Sequence, residues 1–573
     1  MIPRHSTPDL VKDPVSILPL AFLGLIAATI FFRLRFGLDF TDEAYYAVLA
    51  QRFALGDIPY VDEINLRQSA ALFTAPFYWC YLRLNGSTDG IVYFLRCIFF
   101  GLQCVVAATA FRFTYVSAPR QPVLHASIAA TWVFLFIPHS IPACSYNTLG
   151  SLLFALGTII SLDGILNSGS RLKFPLAGAV HGLAVVAYPA LLIPVVIHGA
   201  VMAAFTFPKP ATGSARTALS YGAGVGLIVA AFLICFHSGM MLGIRRAMEF
   251  EGMFTRQRDA GKLGIMIVDM IGQAGPLFPA AIVGLLAFAL RRRMDRLTGI
   301  ALLFLAVPAW FWSARRSLHL YTAQHDLGMD IFIYLGILSG LLFPILTTLR
   351  ESRCIFLGAW LPSMLAGMTT AMASDGGWRS AGLGIFTAVL ATPLLISHAR
   401  AAGGRTGNAA MTIAMILISL ALVRVHVRAT YFDGPWMMQT TEVTEGPYKG
   451  LRGAPVKAAF AESATREVRH FWRPGERMLV YYNRPGVYLS VPARPSVEVS
   501  WTDHRARMAP LLPYFDDHRT GQGIVVVMKG ERGTSRELEM LVEDPDRLLV
   551  DAPEFRIYRE PSPSPAGVLP PDS

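Results

Sequence analysis

PVSILPLAFLGLIAATIFFRLRFGLDFTDEAYYAVLAQRFALGDIPYVDE, residues 14–63, opens on an apolar run and closes in a cluster of acids. The run over residues 15–36 is long enough for a hydrocarbon core, which takes about 17 to 25 apolar residues. It lacks a small-residue cleavage site after a short apolar stretch, so it reads as a retained signal anchor. The same kind of run recurs down the chain, at 90–111, 123–140, 147–166, 174–188, 189–207, 218–238, 263–290, 297–313, 328–349, 354–373, 381–398 and 409–425. About 13 transmembrane helices are therefore expected. Tyr188-Pro189 and Pro194 interrupt 174–207, which reads either as two short helices or as one kinked helix.

Composition agrees with a multi-span membrane protein. Of 573 residues 53% are hydrophobic and only 16% charged, where an ordinary soluble domain has about a quarter charged. Residues 425–573 hold 19 Lys and Arg against 20 Asp and Glu, leaving 31 against 19 in residues 1–424, so the basic excess lies in the apolar part. A nucleic-acid partner, which needs a solvated basic face, is excluded. The excess is topological instead. Alternating the spans gathers 16 Lys and Arg on one side, including Arg112, Arg120, Arg171, Arg291 to Arg293 and Arg350, against Asp9, Asp13, Asp295 and Glu351. That side is cytoplasmic by the positive-inside rule, which makes the N-terminus cytoplasmic. An odd number of spans places the tail outside.

The expected division is a transmembrane domain over 1–425, with a long first outer loop at 37–89, then a soluble α/β domain over 426–560 and a disordered end over 561–573. In the loop, Asp42 to Leu55 suits an amphipathic helix on the membrane surface, with a second from Leu66 to Arg83. The segment Met241 to Lys262 suits the lipid headgroups. In the tail, Arg477 to Tyr482 and Gly523 to Met528 read as buried strands, Tyr488 to Val491 and Val497 to Trp501 as further strands, and Ala454 to Trp472 as a helix. No CxxC or Cys/His cluster with metal spacing occurs, nor a phosphate-binding loop or a nucleotide-sugar domain.

The chemistry-bearing pattern is Phe40 to Ala47 (FTDEAYYA) with Gly56 to Glu63 (GDIPYVDE). These two acidic pairs, Asp42-Glu43 and Asp62-Glu63, flank one helix, and a turn at Gly56 to Pro59 lets both converge on one cavity. A carboxylate there can take a proton from an attacking hydroxyl; equally, Asp42 can cap the helix. Arg67, Arg315 and Arg316 are candidates for a lipid phosphate because a guanidinium pairs two phosphate oxygens, and headgroup anchoring explains each of them as well. Tyr46, Asn147, His319 and Tyr321 are candidates for sugar contact. An interfacial belt accounts equally for the tyrosines and an N-cap for Asn147.

The order of a short N-terminus, one span, D-E-x-x-Y in a long loop, then P-Y-x-D resembles the GT-C glycosyltransferase superfamily, in particular its protein O-mannosyltransferase and lipid A aminoarabinose transferase types. Arg96, Ser145 to Gly150 (SYNTLG) and Ala177 to Pro189 extend the resemblance, which covers roughly residues 10–400. It implies a GT-C-like membrane fold in a bacterial inner membrane, with the C-terminal domain periplasmic. It further implies transfer of a sugar from a polyprenyl-phosphate donor to an envelope glycan, lipid or protein acceptor, with modification of lipopolysaccharide or polysaccharide among the outcomes and inversion at the anomeric carbon. Asp42 then matches the catalytic base with Glu43 beside it, Asp62 is the second acid, in or near the acceptor site, and Glu63 is a further candidate for substrate binding. No organic cofactor is implied, and a divalent cation is compatible with the pattern. Where the aminoarabinose transferases carry Lys-Pro-Pro after the second acid, this chain reads EINLRQS from Glu63, with Arg67 as the nearest cation. The competing classes are a lipid-linked-sugar flippase, which calls for mid-membrane ionisable groups and repeated halves, and a non-catalytic envelope assembly protein.

Overall fold

The computed structural model describes residues 14–255, 264, 268, 324–340, 350–501, 523–529 and 545–559, less 66–67, 169, 171, 207–210, 375–376, 403–404, 429, 431–432 and 482. The spans expected at 263–290, apart from residues 264 and 268, and at 297–313 lie outside the described residues, as does the chain end after 559.

Within them the membrane part is a helical assembly. α1 (Pro14–Arg33) leads into a loop carrying α2 (Asp42–Ala54) and α3 (Ala75–Asn85), and then α4 (Ile91–Ser117), α5 (Pro122–Phe134), α6 (Tyr146–Asp163), α7 (Lys173–Ala187), α8 (Leu192–Thr206) and α9 (Ala211–Thr255) follow. After α10 (Gln324–Ser339) come α11 (Arg350–Ala373), α12 (Ala381–Ala402) and α13 (Arg405–Arg428). Among the described residues five segments are long and apolar enough to span a bilayer: Ile91–Ser117, Tyr146–Asn167, Ala215–Phe236, Arg350–Ala373 and Gly377–His398. Ile17–Arg33, Pro122–Phe134, Lys173–Ala187, Pro189–Phe205 and Gly328–Ile337 are shorter apolar helices. The protein is thus a helical multi-span membrane protein with a small α/β part. α6 and α12 are its buried centre, whereas the span within α9 faces outward.

The stretch read as either two helices or one forms two, α7 and α8. Tyr188 is extended (φ −144°, ψ 93°), as steric conflict with a following proline demands, and Pro189 starts a short 3-10 turn before α8. Small residues let α7 and α9 touch: a Cβ placed on Gly178 would lie 2.1 Å from the Tyr221 carbonyl oxygen, and one on Gly224 would lie 2.2 Å from that of Pro175. This is close backbone approach without side chains, the way helices associate in lipid. His181 is buried in α7 and bonds the Tyr221 hydroxyl (2.6 Å) and the Phe154 carbonyl (3.0 Å).

Beyond α13, β1 (Thr441–Glu442) pairs with β2 (Arg452–Gly453), and α14 (Pro455–Phe471) leads to a four-stranded sheet. Its strands β3 (Arg477–Tyr481), β4 (Gly523–Met528), β5 (Leu548–Asp551) and β6 (Phe555–Arg559) lie in the order β3-β4-β6-β5, with β3 and β4 parallel and the other pairs antiparallel. The strands expected at 488–491 and 497–501 are absent. Pro485–Ser490 is a 3-10 helix and 497–501 a series of bends, because Pro485, Pro492 and Pro495 remove ladder N–H groups.

The helix over Asp42–Ala54 forms, but it keeps no broad face in water. Every residue from Glu43 to Arg52 is buried, since the tail covers the side that a surface helix would leave in water. One apolar core joins Leu38, Ala44, Val48 and Ile64 of the loop to Leu451, Phe460, Val480 and Ile524 of the tail. The second loop helix begins later than expected, with a 3-10 turn at Gln68–Phe73 ahead of α3. α3 turns Phe77, Trp79 and Leu84 outward with the Arg83 guanidinium 5.4 Å from the Trp79 ring, as suits a headgroup layer. α9 bends at Gly239 (φ +86°) and runs on through the Met241 to Lys262 segment as far as Thr255.

Candidate active site

Asp39, and not Asp42, caps α2. Its Oδ1 accepts from the Thr41 N–H (2.7 Å) and its Oδ2 from the Glu43 N–H (2.7 Å), satisfying donors that a helix start leaves open. Burial pushes the Asp39 carboxyl up, and the bonds from Thr41 and Glu43 oppose that shift.

Glu43 is fixed by Arg96. Both of its oxygens take guanidinium N–H bonds at 2.6 Å, a bidentate pair buried on both sides. The remaining Arg96 donors go to the carbonyls of Leu34 (2.7 Å), Phe36 (3.0 Å) and Gly37 (2.8 Å), so all five guanidinium donors are used. Burial drives the Glu43 carboxyl up and the Arg96 charge opposes it. The pair ties the start of α4 to the strand-like link between α1 and α2, which sets the position of Asp42 next door.

A second buried guanidinium fixes the other end of the loop. Arg52 Nε donates to Asp57 Oδ2 (2.8 Å), and its Nη1 donates to Glu63 Oε2 (3.0 Å), the Val497 carbonyl (3.1 Å) and Ser500 Oγ (2.9 Å). Glu63 also accepts from the Ser500 N–H (3.0 Å) and hydroxyl (2.7 Å); burial raises its carboxyl and Arg52 opposes the rise. Gln51 Nε2 reaches the carbonyls of Tyr488, Val491 and Ala493 at 2.8 to 3.2 Å. The Asp62 side chain turns back to the Ile58 N–H (2.6 Å).

The two acidic pairs therefore do not converge. Glu43, Asp62 and Glu63 each sit in bonds of their own, and among these acids Asp42 is the one that lines a cavity of about 60 Å³ with Tyr45, Tyr46, Asn65, Pro138, Ile141, Ser145, Tyr146, Asn147 and Trp501. Asp42, Asn65, Asn147 and Trp501 are half-buried and form its mouth, while the tyrosines, Pro138, Ile141 and Ser145 are buried behind them. Asn147 is not the cap of α6. Ser145 and Thr148 form a reciprocal capping box there, and the buried Oδ1 of Asn147 has no hydrogen-bond partner. Tyr146 packs on Tyr188 (ring centroids 4.9 Å) and Tyr46 (6.0 Å).

Of the candidates read from sequence, Asp42, Tyr46 and Asn147 meet at this cavity; Glu43, Asp62 and Glu63 do not line it. Arg67, Arg315, Arg316, His319 and Tyr321 lie outside the described residues. The interfacial cation Arg246 pairs with Glu498 of the tail at 3.2 Å. Sequence reasoning missed Trp501, whose place beside Asp42 depends on folding the tail back over the loop, and no local pattern signals it. Among the described residues no three His, Cys, Asp or Glu side chains group as a metal-ligand set.

No family model matches the chain, and no curated protein matches it. Among solved structures it is similar to apo-state ArnT from Cupriavidus metallidurans, at 11% identity and a TM-score of 0.40 over 95% of this chain and 98% of that one.

Proposed function

We propose that the chain is an integral membrane glycosyltransferase of the GT-C type, moving a sugar from a polyprenyl-phosphate donor to an envelope glycolipid, polysaccharide or protein on the outer face of the inner membrane. The carrying observation is the division among the loop acids. Asp39 caps a helix and Glu43 and Glu63 neutralise buried guanidinium groups, while Asp42 faces a cavity walled by aromatic and amide side chains. That is where a general base belongs.

In this reading the acceptor hydroxyl oxygen attacks the anomeric carbon and forms the new C–O bond. The bond from that carbon to the phosphate oxygen breaks with its electron pair leaving on the lipid phosphate, and the hydroxyl proton passes to Asp42. Attack opposite the leaving group inverts the configuration. Negative charge growing on the phosphate calls for cations aimed at it, for which Arg67, Arg315 and Arg316 remain the proposed residues.

The test is mass spectrometry of envelope glycolipids and polysaccharides from a deletion strain, complemented by the natural chain or by Asp42→Asn at matched abundance. A sugar mass restored by the natural chain and not by the variant supports transfer. Restoration by both overturns the base assignment and moves a flippase or assembly role to the front.

A further inference from the structure

We infer that Arg33 is a positioning residue of the transfer site. From the end of α1 it holds the left-handed turn at His139–Ser140, so that Pro138 and Ile141 stand as a wall of the cavity that Asp42 lines. The inference rests on the transferase reading above for the use of that wall.

The turn follows from the sequence around it. Residues 137–142 read IPHSIP, and a residue ahead of a proline is driven out of the helical region. Ile137 (φ −125°, ψ 81°) and Ile141 (φ −99°, ψ 106°) are accordingly extended, which leaves the change of direction between α5 and α6 to His139 and Ser140. Both take positive φ, 52° and 61°. A Cβ makes that conformation unfavourable, and such residues keep it only where their surroundings over-determine it.

The surroundings are buried side chains from separate helices. Gln103 Nε2 of α4 donates to the carbonyls of Val133, Phe134 and Phe136 at 3.0 to 3.3 Å, and His426 Nε2 of α13 donates to the Leu135 carbonyl at 2.7 Å. These fix the segment where it leaves α5. Arg33, 1% exposed, reaches the turn itself: its Nη2 donates to the Ser140 carbonyl at 3.4 Å while its Nε is anchored on the His426 carbonyl at 2.8 Å. A planar guanidinium holds two carbonyls at a set spacing, as a single ammonium cannot. Pro138 and Ile141, on either side of the turn, line the cavity together with Asp42 and Tyr146.

The test uses the full chain in detergent with isotope-labelled isoleucine methyl groups followed by NMR, the Ile141 resonance being assigned by its loss in Ile141→Val. Sugar transferred per mole of folded protein is measured beside it in the complemented deletion strain. Arg33→Met is expected to displace the Ile141 resonance and to cut transfer by about tenfold or more, as misplaced site walls do. Adding Ser140→Gly, which removes the Cβ that opposes the turn, is expected to return the resonance toward its natural position and to recover most of the transfer. A residue that merely braces α1 against α13 would not be rescued from the turn. Arg33→Lys, which keeps the charge without the fork, carries the same comparison where Arg33→Met does not fold.

An Ile141 resonance unmoved by either substitution overturns the hold on the turn. A double variant whose resonance is restored while transfer stays low overturns the positioning role, as does one that recovers neither. The methyl signal is read without turnover, so the two readings fail separately. A displaced and rescued Ile141 resonance in a chain that transfers no sugar sinks the transferase reading alone, and Asp42-dependent transfer with an unmoved resonance sinks this one alone.

Discussion

Asp42 and Glu43 are neighbours with opposite fates, and the difference lies in what each meets. Glu43 meets Arg96, two hydrogen bonds deep and out of water; Asp42 meets a cavity. Removing one member of a buried ion pair strands the other charge and costs about 3 to 5 kcal/mol. Glu43→Gln is accordingly predicted to lower the unfolding temperature and the membrane abundance of the protein, with Glu43→Gln/Arg96→Met less destabilised than Glu43→Gln alone; thermal unfolding in detergent measures both. Asp42→Asn is predicted to leave the unfolding temperature unchanged while cutting transfer by about 100-fold or more, the usual scale of a lost general base. The acid-rich loop was legible in the sequence. Which acid does what was not, because the partners Arg96 and Ser500 lie 53 and 437 residues from the carboxylates they bind.

At the scale of elements, apolar runs gave away the membrane helices, and the proline at 189 marked where one run becomes two, while Pro194 sits in the first turn of α8. α2 shows the limit of pattern reading. Its spacing of small and apolar residues suits a helix with one wet face, yet its polar Gln51 and Arg52 are buried, Gln51 bonded to tail carbonyls and Arg52 to Asp57 and Glu63 of the loop as well as to Val497 and Ser500 of the tail. Polarity signalled partners, half of which the distant chain supplies. The strands over 548–551 and 555–559 do not stand out in the sequence because short, mixed-polarity segments carry little periodicity. The contact between α7 and α9 yields its own prediction. Gly178→Val forces a side chain into the Tyr221 carbonyl, and overpacking of this kind costs about 1 to 3 kcal/mol. A lowered unfolding temperature for Gly178→Val with no such loss for Gly222→Val, whose site is open, is the expected pattern.

For the whole molecule, the tail is less an appended domain than half of a shared core. Loop and tail bury Leu38, Val48 and Ile64 together with Val480, Tyr488 and Ile524, and Arg52 bonds both. A chain ending at Arg428 is therefore predicted to lose the fold of the first loop along with the tail, which limited proteolysis within residues 34–90 measures. An independent tail would leave that loop as resistant as in the full protein. In the proposed transferase, two adjacent acids divide the work, Asp42 in proton transfer and Glu43 in holding the loop. This division is tested by the sugar transferred per mole of folded protein for Asp42→Asn and Glu43→Gln side by side in the complemented deletion strain. Near-zero transfer by abundant Asp42→Asn and substantial transfer by whatever Glu43→Gln folds are expected. Transfer by Asp42→Asn equal to that of the natural chain would remove Asp42 as the base.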